Sequence, residues 1–138
     1  MGDRDRFVQA LEDAIAPLYY PSETDASLGV TVWETPVLNL EALRQVLNLP
    51  AETSIEERSA NAFFDRVTCD LPEGGYCAWH GADAEALANQ YRTLRDLMQS
   101  HLEHLTFYRV GQIEVAAYVV GRYDEATWIG IATELIET

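Results

Sequence analysis

Three side chains suited to metal binding lie in one glycine-bearing loop of the sequence. Cys69, Cys77 and His80 follow the spacing C-x7-C-x2-H, which offers at most three good zinc ligands and only acidic neighbours for a fourth. The two cysteines could instead form a disulfide that closes the loop, or stay reduced, as thiols in the cytoplasm usually do. We favour two free thiols, and a small metal-binding protein remains an alternative function.

Histidines and carboxylates elsewhere in the chain form no recognisable catalytic pattern. His101 and His104 flank Leu102 and Glu103, which is not the H-E-x-x-H arrangement of zinc proteases, and the sequence has neither a G-x-S-x-G motif nor a P-loop. Carboxylates that could support acid–base or metal chemistry occur in pairs at Glu23 and Asp25, Asp124 and Glu125, and Glu134 and Glu137. In so acidic a chain such pairs are usually solvated. The sequence therefore predicts neither an enzyme nor a cofactor.

Net charge is the most unusual property of the composition. Acidic residues number 23 against 9 basic residues, which gives a net charge of −14, and every basic residue is an arginine. A chain without lysine has no Walker lysine and no Schiff-base lysine. Its field repels nucleic acid and anionic membranes. We therefore expect no direct binding to nucleic acid or membrane, and the charge favours a basic protein partner.

Length and hydropathy set the expected class and location. The 138 residues are expected to form one domain, residues 1–138, long enough to bury about 68% of the surface of the unfolded chain. No segment carries the roughly 18 continuous apolar residues of a membrane span, and the charged first residues do not resemble a signal peptide. These features predict a cytoplasmic globular protein, and nothing in them requires more than a monomer.

Apolar periodicity and capping residues predict four helices. The expected positions are Asp5–Ala16, a helix from the N-cap Asn39 to before Pro50, a brief helix capped by Asn61, and a long helix after the N-cap Asp83. The long helix has about 20 residues, which at about 1.5 Å each reach roughly 30 Å across one face of the domain. His101 and His104 are expected on its solvated side.

Strand patterns predict a sheet built mainly from the last third of the chain. A short strand is expected between Gly29 and Pro36, and a weak polar strand at SIEERS. Three successive strands, LTFYRV, QIEVAAYVVG and TWIGIATELIE, are separated by Gly111 and by RYDEA, which predicts an antiparallel meander. Because the last strands are apolar on both sides, the expected class is α+β with helices covering both faces of the sheet.

Two features stand outside these patterns. Trp79 lies between Ala78 and His80 in a polar loop, where a tryptophan either anchors the loop on the domain or is an exposed interface aromatic. The last strand pattern runs directly into Glu137 and Thr138. A hydroxyl and an α-carboxylate are therefore expected close to ordered structure, and the α-carboxylate, with an ordinary pKa of about 3.5, would be ionised.

Six segments of the sequence match one family when they are taken together. The early segments are YYPSETD and VTVWE, and the later ones are AFFDRVT, QYRTLRDLMQSHL, FYRVGQIEVAAYVVG and GIATELIET. In this order they resemble the nuclease A inhibitor family of cyanobacteria and other bacteria. The resemblance follows a fixed order of elements over nearly the entire chain. It implies a three-layer α-β-α sandwich around a four-stranded, mainly antiparallel sheet, which agrees with the class expected from the residues.

The resemblance also implies a function and its residues. Members of this family inhibit a magnesium-dependent, sugar-non-specific nuclease by blocking its active-site cleft. Carried over residue by residue, Glu23 is the loop acid and Thr138 the C-terminal threonine, both directed at the catalytic metal, and Trp79 is the loop tryptophan of the contact. The implied partner is the nuclease with its catalytic Mg²⁺, and the inhibitor needs no cofactor or metal of its own.

The implied mechanism is chemically consistent with these residue types. Mg²⁺ is a hard cation that prefers oxygen ligands, so a carboxylate or hydroxyl can take the place of phosphate oxygens. An appended tail would obstruct Thr138. The alternative within the class of binding proteins is a general acidic DNA mimic that occupies another DNA-binding protein, which predicts strong salt sensitivity and tolerance of a blocked C-terminus.

Overall fold

Four helices and four strands share the part of the described chain before residue 102, and three strands follow it. The computed structural model describes residues 2–16, 18–20, 26–68, 84–112 and 114–136. Its elements are α1 (Asp3–Ile15), β1 (Tyr19–Tyr20), β2 (Ala26–Ser27), β3 (Gly29–Trp33), α2 (Leu40–Val46), β4 (Ile55–Ser59), α3 (Ala60–Thr68), α4 (Ala84–His101), β5 (Glu103–Val110), β6 (Glu114–Asp124) and β7 (Thr127–Ile136).

The main sheet has five antiparallel strands in the order β3-β7-β6-β5-β4, and β1 pairs with β2 as a separate two-residue ribbon. The meander of β5, β6 and β7 is therefore confirmed. The sheet has one strand more than the four implied by the resemblance. The edge strands are β3 and the polar strand predicted at SIEERS, β4, which pairs with β5 from Ile55 opposite Val110 to Ser59 opposite Thr106. Backbone hydrogen bonds suffice to attach an edge strand, so it needs little apolar surface.

Alternation along β6 and β7 explains why helices lie on both sides of the sheet. Odd-numbered residues of these strands, among them Val119 and Ile131, join a core cluster with residues of α1, α3 and α4. Even-numbered residues, among them Val120 and Trp128, join a second cluster that includes Leu43 of α2. Both faces of a strand with apolar side chains on each side must be covered. The α+β class and the three-layer α-β-α architecture are confirmed.

Three details of the helices test the predicted ends. Asn39 caps α2, since its side-chain oxygen accepts a hydrogen bond from the Ala42 N–H at 2.8 Å. The predicted Asn61 cap is wrong, because α3 begins at Ala60 and the Ser59 hydroxyl accepts from the Asn61 N–H at 3.3 Å. The predicted Asp83 cap lies outside the described residues.

The C-terminal end of α4 differs from the expectation for the two histidines. The helix ends at His101, and His104 lies in β5 with a left-handed φ of 57°. His101 is exposed, but its ring stacks on Phe7 with centroids 4.7 Å apart, so it ties the end of α4 to α1. None of the described helices has the length and apolar character needed to cross a membrane.

Candidate functional site

The three residues predicted to contact a nuclease lie outside the described residues. Glu23 belongs to the segment between β1 and β2, Trp79 to the segment between α3 and α4, and Thr138 follows β7. The alternative zinc ligands Cys69, Cys77 and His80 belong to the same undescribed segment as Trp79. The structure does describe the residues that flank all three segments, and these define the framework of the candidate site.

The β1–β2 ribbon carries the Glu23 segment. Tyr19 pairs with Ser27 and Tyr20 with Ala26. Two tyrosine hydroxyls fix β1 to the helices: Tyr20 donates to the Phe63 carbonyl of α3 at 3.0 Å, and Tyr91 of α4 donates to the Tyr19 carbonyl at 2.6 Å. A two-stranded ribbon is only marginally stable alone. The two tyrosine hydroxyls therefore help to hold this ribbon in place.

Tyr20 and Tyr91 are deeply buried, with 1% and 0% of their surfaces exposed. The Tyr20 ring stacks on Phe63 with centroids 4.3 Å apart and meets the edge of Tyr91 at 6.4 Å. Burial raises the pKa of the Tyr91 phenol far above its ordinary value, with smaller contributions from the neighbouring phenols of Tyr20 and Tyr19. Tyr91 is therefore a neutral hydrogen-bond donor at every pH at which the protein is expected to work.

A side-chain hydrogen bond joins the β1–β2 ribbon to β7. The Thr133 hydroxyl donates to the Ser27 carbonyl at 2.9 Å, and Thr133 is 7% exposed. This contact continues the pairing of β3 with β7, in which Gly29 lies opposite Ala132. The beginning of β2 therefore lies at the same end of the sheet as the end of β7.

The flanks of the Trp79 segment are also tied together. Thr68, the last residue of α3, is fully buried, and its carbonyl accepts a hydrogen bond from the Arg92 guanidinium of α4. Arg92 follows Tyr91, whose hydroxyl reaches Tyr19 of the ribbon. The described residues around all three undescribed segments are thus connected, through Arg92, Tyr91, Tyr19, Ser27 and Thr133.

Sequence reasoning missed the residues that build this framework. Tyr91 and Tyr20 fit the apolar pattern of core residues, and Thr133 fits the pattern of a strand. Their hydroxyls gave the only signal, because a buried hydroxyl requires a partner. Within the described residues, no group of histidine, cysteine, aspartate and glutamate side chains could hold a metal ion.

Comparison with known proteins adds evidence that is independent of this geometry. A family model described as nuclease A inhibitor-like protein matches residues 5–138. The match covers nearly the whole chain, so the resemblance found in the sequence segments is confirmed. A comparison with curated proteins finds no match.

Proposed function

This chain belongs to the nuclease A inhibitor-like protein family, and from that premise we propose that it is a protein inhibitor of a magnesium-dependent, sugar-non-specific nuclease. It acts by binding the nuclease rather than by catalysis. Oxygens of Glu23 and Thr138 are directed at the Mg²⁺ in the nuclease cleft, where they replace phosphate oxygens of the substrate. Trp79 fills a pocket beside that cleft, as buried tryptophans at interface centres commonly do.

The hydrogen bond between Ser27 and Thr133 is the observation that carries this mechanism. Glu23 precedes Ser27 by four residues, and Thr138 follows Thr133 by five residues. A chain extends at most about 3.6 Å per residue, so the two residues lie within about 14 Å and about 18 Å of this hydrogen bond. The segments that carry the two oxygen-bearing residues thus start from one point of the fold, and their reach allows both residues to approach one metal ion.

The anchoring of the ribbon lowers the entropic cost of binding. Hydrogen bonds from Tyr20 to α3 and from Tyr91 of α4 fix β1 to these two helices, so the flank of the Glu23 segment is ordered before the partner arrives. Binding then orders fewer residues, which favours affinity. The net charge of −14 attracts the basic cleft of a nuclease and raises the association rate more than the final affinity.

Titration of a magnesium-dependent, sugar-non-specific nuclease with the untagged protein tests this proposal. We expect wild-type protein to abolish nuclease activity at a one-to-one ratio. The Glu23→Ala variant, and a variant extended beyond Thr138, should raise the inhibition constant by about 30-fold or more, the factor that corresponds to about 2 kcal/mol for a desolvated charge contact. Glu125→Ala in the exposed β6–β7 turn is the matched control and should retain full inhibition.

Three outcomes distinguish the possible explanations. Failure of the wild-type protein to inhibit would reject nuclease inhibition itself. Full inhibition by both the Glu23→Ala and the extended variant would reject only the metal-directed mechanism. Binding that tolerates the extension and collapses in moderate salt would instead favour the general DNA mimic, because exposed charges are screened within about 10 Å at 0.1 M salt.

A further inference from the structure

A groove with two carboxylates lies on the α2 side of the sheet, at the end where β7 finishes. We call it the Glu114–Glu134 groove. It has a volume of ≈ 320 Å³, and its lining is formed by Val110, Glu114, Val115, Ala116, Glu134 and Leu135. Four of these residues are apolar, and both glutamates are exposed. None of its lining residues is among the three assigned to the nuclease contact, Glu23, Trp79 and Thr138.

Strand register explains the form of the groove. Ala116 of β6 lies opposite Glu134 of β7, and Glu114 lies opposite Ile136. Glu114, Ala116 and Glu134 therefore share one face of the sheet. The two glutamates are diagonal neighbours, roughly 7–8 Å apart along the sheet, and the small side chain of Ala116 leaves space between them.

The two carboxylates have no cation within the described part of the fold. The described ion pairs at this end of the sheet join Arg58 and Arg109 to Glu56. The strand register places Glu56 and Arg109 on the same face of the sheet as Phe107, which packs against α1, α3 and α4. This face is opposite to the one that carries the groove. Burial raises the pKa of the Tyr118 phenol, and the negative charge of Glu134 adds a smaller increase. The charge of Glu134 therefore acts on the face of the sheet that carries Tyr118.

We propose that the Glu114–Glu134 groove receives an arginine or lysine side chain of the nuclease partner. This inference rests on the function proposed above and adds a second contact to it. The carboxylates neutralise the cationic head, and the walls formed by Val110 and Ala116 pack against its aliphatic stem. A nuclease must present basic side chains to bind the phosphates of its substrate, so the required cation belongs to the surface that the inhibitor covers.

The position of the groove makes it continuous with the proposed metal-directed contact. Glu134 precedes Thr138 by four residues, so the two are at most about 14 Å apart. An interface of standard size buries about 800 Å² on each partner, which spans a patch wide enough to include both. A nuclease that is blocked at its metal by Thr138 therefore brings surface next to the groove.

The experiment compares Glu114→Gln/Glu134→Gln with the matched control Glu103→Gln/Glu125→Gln. Both double variants remove two negative charges, and the control residues are exposed at the opposite end of the sheet. Binding rates to the magnesium-dependent, sugar-non-specific nuclease used above are measured at 0.15 M salt. We expect the groove variant to raise the dissociation constant at least about tenfold, mainly through the dissociation rate. The control should change it less than about threefold, through the association rate.

A charge-neutral variant gives a second, independent test. Ala116→Leu fills the groove without changing any charge, and we expect it to raise the dissociation constant by at least about tenfold. Circular dichroism and thermal unfolding verify that each variant is folded. Binding of Ala116→Leu with wild-type affinity, or equal effects of the two double variants, would overturn the proposal that the groove receives a basic side chain. Either result would leave the proposed nuclease inhibition intact. If the wild-type protein does not bind the nuclease, the proposed function fails, and the groove proposal fails with it.

Discussion

Removal of one buried hydroxyl tests how the ribbon beside the Glu23 segment is held. In the Tyr91→Phe variant the ring and its packing remain, but the 2.6 Å hydrogen bond to the Tyr19 carbonyl is lost. Tyr91 is fully buried, so water cannot readily replace its hydroxyl at that carbonyl. The variant should therefore loosen β1 and lower the stability of the whole fold.

The expected magnitude follows from the hydrogen bond and the size of the chain. The net contribution of a hydrogen bond to folding stability is about 1 kcal/mol, and the unsatisfied Tyr19 carbonyl adds to the loss. We therefore expect the free energy of unfolding to fall by about 1–2 kcal/mol. The unfolding entropy is about 2.1 cal/mol/K per residue, or about 0.3 kcal/mol/K for a chain of this length. The midpoint of thermal unfolding should therefore fall by about 3–7 °C.

Alkaline pH provides a second readout of the same residue. Because the pKa of Tyr91 is raised in the folded state, the folded protein keeps the phenol neutral while the unfolded chain begins to ionise near its ordinary value of about 10. The stability that Tyr91 contributes is thus complete below that pH and is lost as the pH rises above it. The difference between wild type and Tyr91→Phe should shrink above pH 10.

Thermal unfolding followed by circular dichroism measures both effects, with Tyr123→Phe as the control. Tyr123 is half-buried and stacks on Phe7 with centroids 5.6 Å apart, and within the described residues its hydroxyl has no hydrogen bond like that of Tyr91. The midpoint of thermal unfolding of Tyr123→Phe should differ from that of the wild type by less than about 1 °C, because substitutions that remove no buried contact usually have small effects. If Tyr91→Phe unfolds at the wild-type temperature, or if the two variants lose equal stability, the hydroxyl of Tyr91 does not hold the ribbon and the argument is wrong.

Two further predictions concern the β6–β7 hairpin. The backbone N–H of Ala126 donates to the Asp124 carboxylate at 2.9 Å, and this hydrogen bond is the main cause that lowers the pKa of Asp124 below its ordinary value of 3.8. The ionised carboxylate therefore stabilises the fold above pH 3.8. This stabilisation is lost as the pH falls through the lowered pKa. Asp124→Ala should lower the unfolding midpoint at pH 7, and the difference should vanish in acid; a constant difference down to pH 2 would contradict this assignment. A Cβ at Gly130 would lie 1.9 Å from the Val119 carbonyl oxygen, whereas one at Gly29 meets nothing within 4 Å. Gly130→Ala should therefore cost about 3 kcal/mol or more in urea unfolding and Gly29→Ala less than about 0.5 kcal/mol, and similar losses in both would refute the close approach of β6 and β7.

The predicted functional residues had a different origin from the predicted fold. Glu23, Trp79 and Thr138 came from the family resemblance, and their roles remain predictions because all three lie outside the described residues. The residues themselves gave only their chemistry: oxygen donors in two segments and an aromatic side chain in a third. The groove between Glu114 and Glu134 was not predicted, since pairing register decides which carboxylates become neighbours.

Local pattern determined the helices, the meander and the class of the fold, because apolar periodicity and capping depend on residues within a few positions of one another. The same local reasoning failed at α3, where the last residue of the preceding strand, Ser59, provides the cap. Tertiary structure alone decided which polar groups meet. Tyr91 and Tyr19 are 72 residues apart, and Thr133 and Ser27 are 106 apart. No local pattern encodes such pairs, since each forms only when the packed core has brought its two segments together.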